Sequence, residues 1–107
     1  MVQQKKYRDV FCYRLNQARL SKGLSQKTLG VLAGIDEFVA SARINRYEKG
    51  VHEADIGTAQ RLACVLQVPL AYFYAEDDCL AEIIAGFNKL PDSIRQTINK
   101  LVQENMN

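Results

Sequence analysis

The most reactive side chains of this sequence lie in the segment around its single histidine. His52 is followed by Glu53 and Asp55, and an imidazole with two carboxylates is a set that can bind a metal ion. Exposed turn residues of this kind usually have no such role. The sequence also suggests no Ser/His/Asp set, no glycine-rich phosphate loop and no paired carboxylates with a pocket, so we expect neither an enzyme nor a metal or cofactor site.

The three cysteines, Cys12, Cys64 and Cys79, are an odd number and show no Cys-x-x-Cys spacing. This pattern predicts reduced thiols of a cytoplasmic protein rather than disulfides or a zinc site. We expect Cys12 and Cys64 to lie within apolar helical faces, where a thiol is normally inert. The acidic neighbours of Cys79 disfavour its thiolate, so the sequence does not favour a redox sensor.

Charge is distributed unevenly along the 107 residues. Residues 1–53 hold ten Lys or Arg and five Asp or Glu, a net charge of +5, whereas residues 54–107 hold four and seven, a net charge of −3. A basic half suggests contact with a polyanion, although such a half is often only solvated surface. No apolar run approaches the roughly 18 residues of a membrane span, and no apolar stretch follows the basic N-terminus as in a secretory signal. We therefore expect a cytoplasmic protein with no membrane partner.

Helix signals dominate the sequence, and the alternating pattern of strands is scarce. Lys22-Gly23 is typical of a helix end, and Ser25 is a good N-cap for the helix that follows. The sequence predicts an all-α fold with helical segments at 9–22, 26–33, 35–47, from 55 or 57 to 65 or 66, 79–88 and 94–104, and a short turn at 70–74.

Apolar residues at helical spacing predict which faces of these segments point inward. The expected inward residues are Val10, Phe11, Leu15, Ala18 and Leu20, then Leu29 and Leu32, then Phe38, Val39, Ile44 and Tyr47, then Ile56, Ala59, Leu62, Ala63 and Leu66. The last segment carries a clean apolar stripe formed by Ile94, Ile98, Leu101 and Val102.

Three stretches between Arg14 and Phe73 carry a more specific pattern: RLNQARLSKGLSQKTLGVLAG, ARINRYEKG and TAQRLACVLQVPLAYFY. They contain an arginine in the first helix, Leu-Ser-Gln at the start of the second, Ile-x-x-Tyr-Glu-Lys-Gly at the end of the third, and Leu-x-Val-Pro after the fourth. This pattern resembles the Cro/repressor-like, or xenobiotic-response-element (XRE), family of helix-turn-helix transcriptional regulators. The resemblance implies a lambda-repressor-like bundle of about five helices plus one or two C-terminal helices.

The resemblance also implies which residues contact double-stranded DNA. The third helix would enter the major groove, where arginine can bind guanine, serine or asparagine can bind several bases, and alanine can meet a thymine methyl group. The implied base contacts are Ser41, Ala42, Arg43, Asn45 and Arg46. The implied phosphate contacts are Ser25, Gln26, Lys27 and Lys49.

In the family, residues matching Arg19 and Glu48 form a partly buried salt bridge that orients the third helix. The sequence departs from the family at residues 34–39, which lengthen the turn before the third helix by about three or four residues. The start of that helix is open, because Asp36 and Ser41 are both possible caps. We expect Asp36 and Glu37 to point away from DNA or to cap the helix.

We expect residues 1–75 to form the DNA-binding domain and residues 76–107 to form a C-terminal helical extension that serves dimerisation. A homodimer would bind a palindromic operator, most simply as a repressor, with half-sites about one helical turn apart. Two alternatives stay open. In the first, the extension only caps the core within one subunit. In the second, the chain is a protein-interaction module, such as an antitoxin or restriction–modification controller, and DNA binding is secondary. No small-molecule ligand is evident.

Overall fold

A computed structural model describes residues 2–106, with side chains from residue 6 onward. Within this range the chain forms helices and no strand, which confirms the all-α prediction. The elements are α1 (Val2–Ser21), α2 (Gln26–Leu32), α3 (Ala40–Lys49), α4 (Ile56–Leu66), a 3₁₀ helix (Leu70–Tyr74), α5 (Asp78–Phe87) and α6 (Asp92–Glu104).

One end of each of α2, α3 and α4 is set by a capping residue that can be recognised in the sequence. Ser25 caps α2 by accepting a hydrogen bond from the backbone N–H of Thr28 at 3.0 Å. Asp55 caps α4 in the same way from Thr58, at 2.7 Å. Gly50 ends α3 with a φ of 75°, a left-handed conformation that glycine adopts without a side-chain clash.

The core lies between α1, α2, α3, α4 and the 3₁₀ helix. Each element contributes apolar residues at helical spacing. Most of these residues belong to the inward faces that the sequence predicts. The largest fully buried side chains are Leu15, Leu29, Ile44, Leu62, Leu66 and Phe73.

Six residues predicted to face inward are exposed instead: Leu20, Leu32, Phe38, Val39, Ile56 and Cys64. Leu20 and Leu32 are exposed because they lie in the last turns of α1 and α2, at the edge of the packed faces. Ile56 is exposed at the first residue of α4, where the helix extends beyond the core. Cys64 is also exposed. It lies two positions from both Leu62 and Leu66, about 200° around the helix, and so faces away from the buried stripe.

The segment predicted at 35–47 with an open start is shorter in the structure, where α3 begins at Ala40 and its N-cap is Val39 rather than either candidate, Asp36 or Ser41. The carboxylate of Asp36 accepts a hydrogen bond from the N–H of Phe38 at 2.8 Å, and the carbonyl of Asp36 accepts one from Val39 at 3.0 Å. These bonds form a turn that competes with helix. They leave Val39 exposed and Phe38 90% exposed just before α3.

Helices α2 and α3 approach most closely at Gly30 and Ala40. A Cβ added to Gly30 would lie 2.7 Å from the Cβ of Ala40 and 3.1 Å from its carbonyl oxygen. We therefore expect Gly30→Ala to lower the free energy of unfolding by about 1–3 kcal/mol, as measured by urea denaturation. The matched control is Gly57→Ala in α4, whose new Cβ would meet its nearest atom at 3.6 Å. Equal stability of the two variants would contradict a tight α2–α3 contact.

The C-terminal helices extend away from this core. Helix α5 packs on the 3₁₀ helix, whereas α6 has no extensive contact with another element of the described chain. The molecule measures 50 × 36 × 21 Å with a radius of gyration of 15.4 Å. A compact chain of this length would have a radius of about 13 Å, so α6 gives the chain an elongated shape.

Candidate nucleic-acid interface

Helix α3 has one buried face and one polar face. Ala40, Ile44 and Tyr47 are buried against the core, as the sequence predicts for Ile44 and Tyr47. Because successive residues are rotated by about 100°, the opposite side of α3 is the side presented to solvent. All predicted contact residues of this helix are exposed: Ser41, Ala42, Arg43, Asn45, Arg46 and Lys49.

These exposed residues divide into a polar strip and a flank. The polar strip consists of Ala42, Asn45, Arg46 and Lys49, which the helical rotation places around the middle of the exposed side, with Ser41 at one edge. Arg43 lies on the other flank, next to the buried face. Arg43 and Arg46 line an open groove with Val51 and His52, between α3 and the loop that follows it.

The C-terminal end of α3 is attached to α1 by a salt bridge. Arg19 donates from Nε to Glu48 Oε2 at 2.6 Å and from Nη2 to Oε1 at 3.1 Å. Its Nη1 donates to the carbonyl of Leu24 at 2.8 Å. The side chain of Arg19 is 12% exposed and that of Glu48 is 4% exposed. This two-point contact fixes the orientation of α3 relative to α1.

Gln26 connects α2 to α3 through the same carboxylate. Its Nε2 donates to Glu48 Oε1 at 3.1 Å and to Asn45 Oδ1 at 3.2 Å. Asn16, which the sequence analysis did not single out, donates to Glu48 Oε1 at 3.1 Å. Asn16 precedes Arg19 by three residues and therefore shares its face of α1, a spacing that could have identified it. Glu48 thus connects α1, α2 and α3 next to the polar strip.

The other predicted phosphate contacts surround this strip. Ser25 is exposed, and its hydroxyl both caps α2 and donates to the hydroxyl of Thr28 at 2.9 Å. Lys27 is exposed in the first turn of α2, and Lys49 is exposed at the last residue of α3. The two cations therefore extend the polar surface beyond both ends of the Gln26–Glu48 contact.

The network of hydrogen bonds keeps Glu48 ionised. Burial by itself would raise the pKa of the Glu48 carboxyl. The hydrogen bonds from Arg19, Asn16 and Gln26, with the charge of Arg19, outweigh burial and hold this pKa below its ordinary value. The same hydrogen bond raises the pKa of Arg19, although burial opposes it.

Acidification is expected to remove the stabilisation that Glu48 provides. The pKa of Glu48 is lower in the folded protein than in the unfolded chain. The contribution of the Glu48 carboxylate to the free energy of unfolding is therefore complete above about pH 4.3, and it is lost as the pH falls through the pKa of the folded state. The difference in free energy of unfolding between the native sequence and Glu48→Gln should therefore shrink below about pH 4. Urea denaturation at several pH values measures it. A difference independent of pH would contradict a charged Glu48 in the folded state.

Outside this region the described residues offer little other chemistry. They contain no group of three or more His, Cys, Asp and Glu side chains arranged to hold a metal ion. No helix within residues 2–106 is long and apolar enough to cross a membrane.

Comparisons with known proteins agree with this geometry. A family model described as Helix-turn-helix matches residues 15–73. The solved crystal structure of the transcriptional regulator BswR is similar to this chain, with 43% identity over 87% of this chain and 92% of that chain, and a TM-score of 0.80. A search of curated proteins gave no match. The chain belongs to the XRE-type helix-turn-helix family and is a DNA-binding regulator.

Proposed function

We propose that the protein is a repressor that binds a palindromic operator as a homodimer, with α3 of each subunit in the major groove. The observation that carries the proposal is the polar strip of α3. Hydrogen bonds from Arg19 of α1 and Gln26 of α2 to Glu48 hold this helix in place. A base-reading helix needs this combination, because discrimination between bases requires side chains held in register with the base edges.

Asn45 and Arg46 are the best-placed base readers. Both lie near the middle of the strip, and the hydrogen bond from Gln26 to Asn45 orients the amide of Asn45. Ser41 and Ala42 lie in the first turn of α3, the end that enters the groove in this class of protein. Arg43, on the flank, reaches either a guanine at the edge of the half-site or a neighbouring phosphate.

Phosphate contacts position the helix without reading sequence. Ser25, Gln26 and Lys27 at the start of α2 and Lys49 at the end of α3 are proposed for this role. Their separation lets them contact the two walls of the groove that α3 occupies. The net charge of +5 in residues 1–53 favours this approach.

A second copy of the chain is proposed to cover α5 and α6. In α6, Ile94, Leu101 and Val102 are exposed and lie on one face, and Leu80 and Ile83 of α5 are exposed as well. Each of these side chains is about half exposed, so burying the rest of it contributes about 1 kcal/mol, roughly half of the value for complete burial. Because α6 has no extensive contact with another described element, these residues are free to pack on a partner. An operator-bound dimer represses by occupancy alone.

Substitutions of Arg46 and Lys27 test this division of roles. Arg46→Ala should relax the preference at one base position by about 5- to 150-fold, the equivalent of the 1–3 kcal/mol of a bidentate contact. Lys27→Ala should weaken binding to all sequences equally and reduce the salt slope by about 1. Binding is measured on a set of singly substituted duplexes at several salt concentrations. Uniform weakening by Arg46→Ala would make Arg46 a phosphate contact and would remove it from the proposed base readers.

A further inference from the structure

A second buried arginine of the described chain lies outside the DNA-facing surface. Arg14 of α1 has a side chain that is only 6% exposed. Its Nε donates to the carbonyl of Ala75 at 2.9 Å, its Nη2 donates to the carbonyl of Glu76 at 3.0 Å, and its Nη1 lies 3.0 Å from Asp78 Oδ1. One guanidinium group therefore binds three acceptors that are close together in the chain.

These acceptors belong to the connection between the DNA-binding core and the C-terminal helices. The 3₁₀ helix ends at Tyr74 and α5 begins at Asp78, so only three residues join them. The Arg14 guanidinium also lies 5.8 Å from the ring centre of Tyr72 and 5.4 Å from that of Tyr13, both within cation–π range. Since the five N–H donors of arginine form a rigid planar fork, these contacts fix the direction in which the connection leaves α1.

Besides Arg14, packing holds the first turns of α5, where Ala81 is 1% exposed and lines a groove with Tyr13 and Gln17 of α1. The one extensive packing partner of α5 among the described elements is the 3₁₀ helix, which Arg14 itself contacts through Tyr72. The ion pair of Lys6 with Glu76, at 3.0 Å, is exposed on both sides and contributes little to rigidity. Arg14 is therefore the buried polar contact that, together with this packing, holds the angle between the DNA-binding core and α5.

We propose that Arg14 is a positioning residue that sets the spacing between the two operator half-sites. The inference rests on the proposed dimer through α5 and α6. In such a dimer the distance between the two copies of α3 is determined by the angle at which each core leaves its α5. A rotation at this connection changes the separation of the two copies of α3, and a change of about 3.4 Å, the rise of one base pair, favours a different spacing.

The experiment measures the binding of duplexes that carry two identical half-sites separated by spacers of increasing length. The native protein should prefer one spacing by at least about tenfold over spacers one base pair longer or shorter. Arg14→Lys, which keeps the charge but has one donor group instead of a fork, should reduce this preference to about threefold or less, with unchanged affinity for a duplex holding one half-site.

Two further variants make the test specific. Asp78→Asn removes the charged acceptor from a side chain that is 84% exposed, so it keeps the fold and should broaden the spacing preference to an intermediate degree. Lys6→Met breaks the exposed ion pair on the same connection and should leave the preference sharp.

A sharp preference at the same spacing in both Arg14→Lys and Asp78→Asn would overturn the role of Arg14 while leaving the dimeric repressor intact. A native protein that binds one half-site as tightly as two, at every spacing, would overturn both proposals.

Discussion

Replacing Arg19 by methionine is expected to lower the free energy of unfolding by about 3–5 kcal/mol. The reason is the carboxylate left behind, because Glu48 is almost completely buried and Arg19 is its ion-pair partner among the described side chains and supplies two of its hydrogen bonds. Thermal and urea denaturation measure the effect. The control Lys6→Met breaks an exposed ion pair and should change stability by less than about 1 kcal/mol. A loss of less than about 1 kcal/mol in Arg19→Met would contradict a buried, ionised Glu48.

The double variant Arg19→Met with Glu48→Met separates stability from orientation. Replacing both charges by apolar side chains removes the unpaired carboxylate and should recover much of the lost stability. It also removes the acceptor used by Asn16 and Gln26, so α3 loses its hydrogen bond from Asn16 and one of its two hydrogen bonds from Gln26. We therefore expect a well-folded double variant with reduced preference for its operator. Full operator preference in this variant would show that Glu48 is not needed to orient α3.

Replacing Leu101 by aspartate is expected to abolish dimerisation and to lower operator affinity by about 10²- to 10⁴-fold, because binding of the second half-site ceases to be intramolecular. Leu101 lies on the exposed apolar stripe of α6, where a carboxylate would have to be buried against the partner. Affinity for a single half-site should not change. Sedimentation measures dimerisation, and titration with duplexes measures the affinity for the operator and for a single half-site.

The matched control for Leu101→Asp is Gln103→Asp. Gln103 is exposed, and it lies about 160° around α6 from Leu101, so the added charge should remain in solvent. A dimer that survives Leu101→Asp with full operator affinity would exclude the apolar stripe of α6 as the interface.

Much of the fold follows from local signals. Ser25, Asp55 and Gly50 mark helix ends by chemistry that depends on a few neighbouring residues, and the structure has those ends. The buried face of α3 follows from the spacing of Ile44 and Tyr47. The strip opposite this face could therefore be predicted before the tertiary structure was known.

Features that depend on side-chain competition or on distant packing could not be predicted in this way. The start of α3 stays open at the level of the sequence because apolar spacing takes no account of the hydrogen bonds by which Asp36 stabilises a turn. The contacts of Gln26 depend on how α2 crosses α3, and Arg14 meets the carbonyl of a residue 61 positions away. Sequence spacing within one helix carries no information on such pairs.

Selection from a random duplex library at about 150 mM salt, where non-specific phosphate binding is weak, tests the reading role of α3 most directly. The purified protein is mixed with the library, and the retained duplexes are sequenced. We predict enrichment of an inverted repeat with half-sites about ten base pairs apart, and loss of one preferred base when Arg46→Ala is used. Retention without enrichment would contradict sequence-specific reading by α3, and no retention would contradict DNA binding as the main role of this surface.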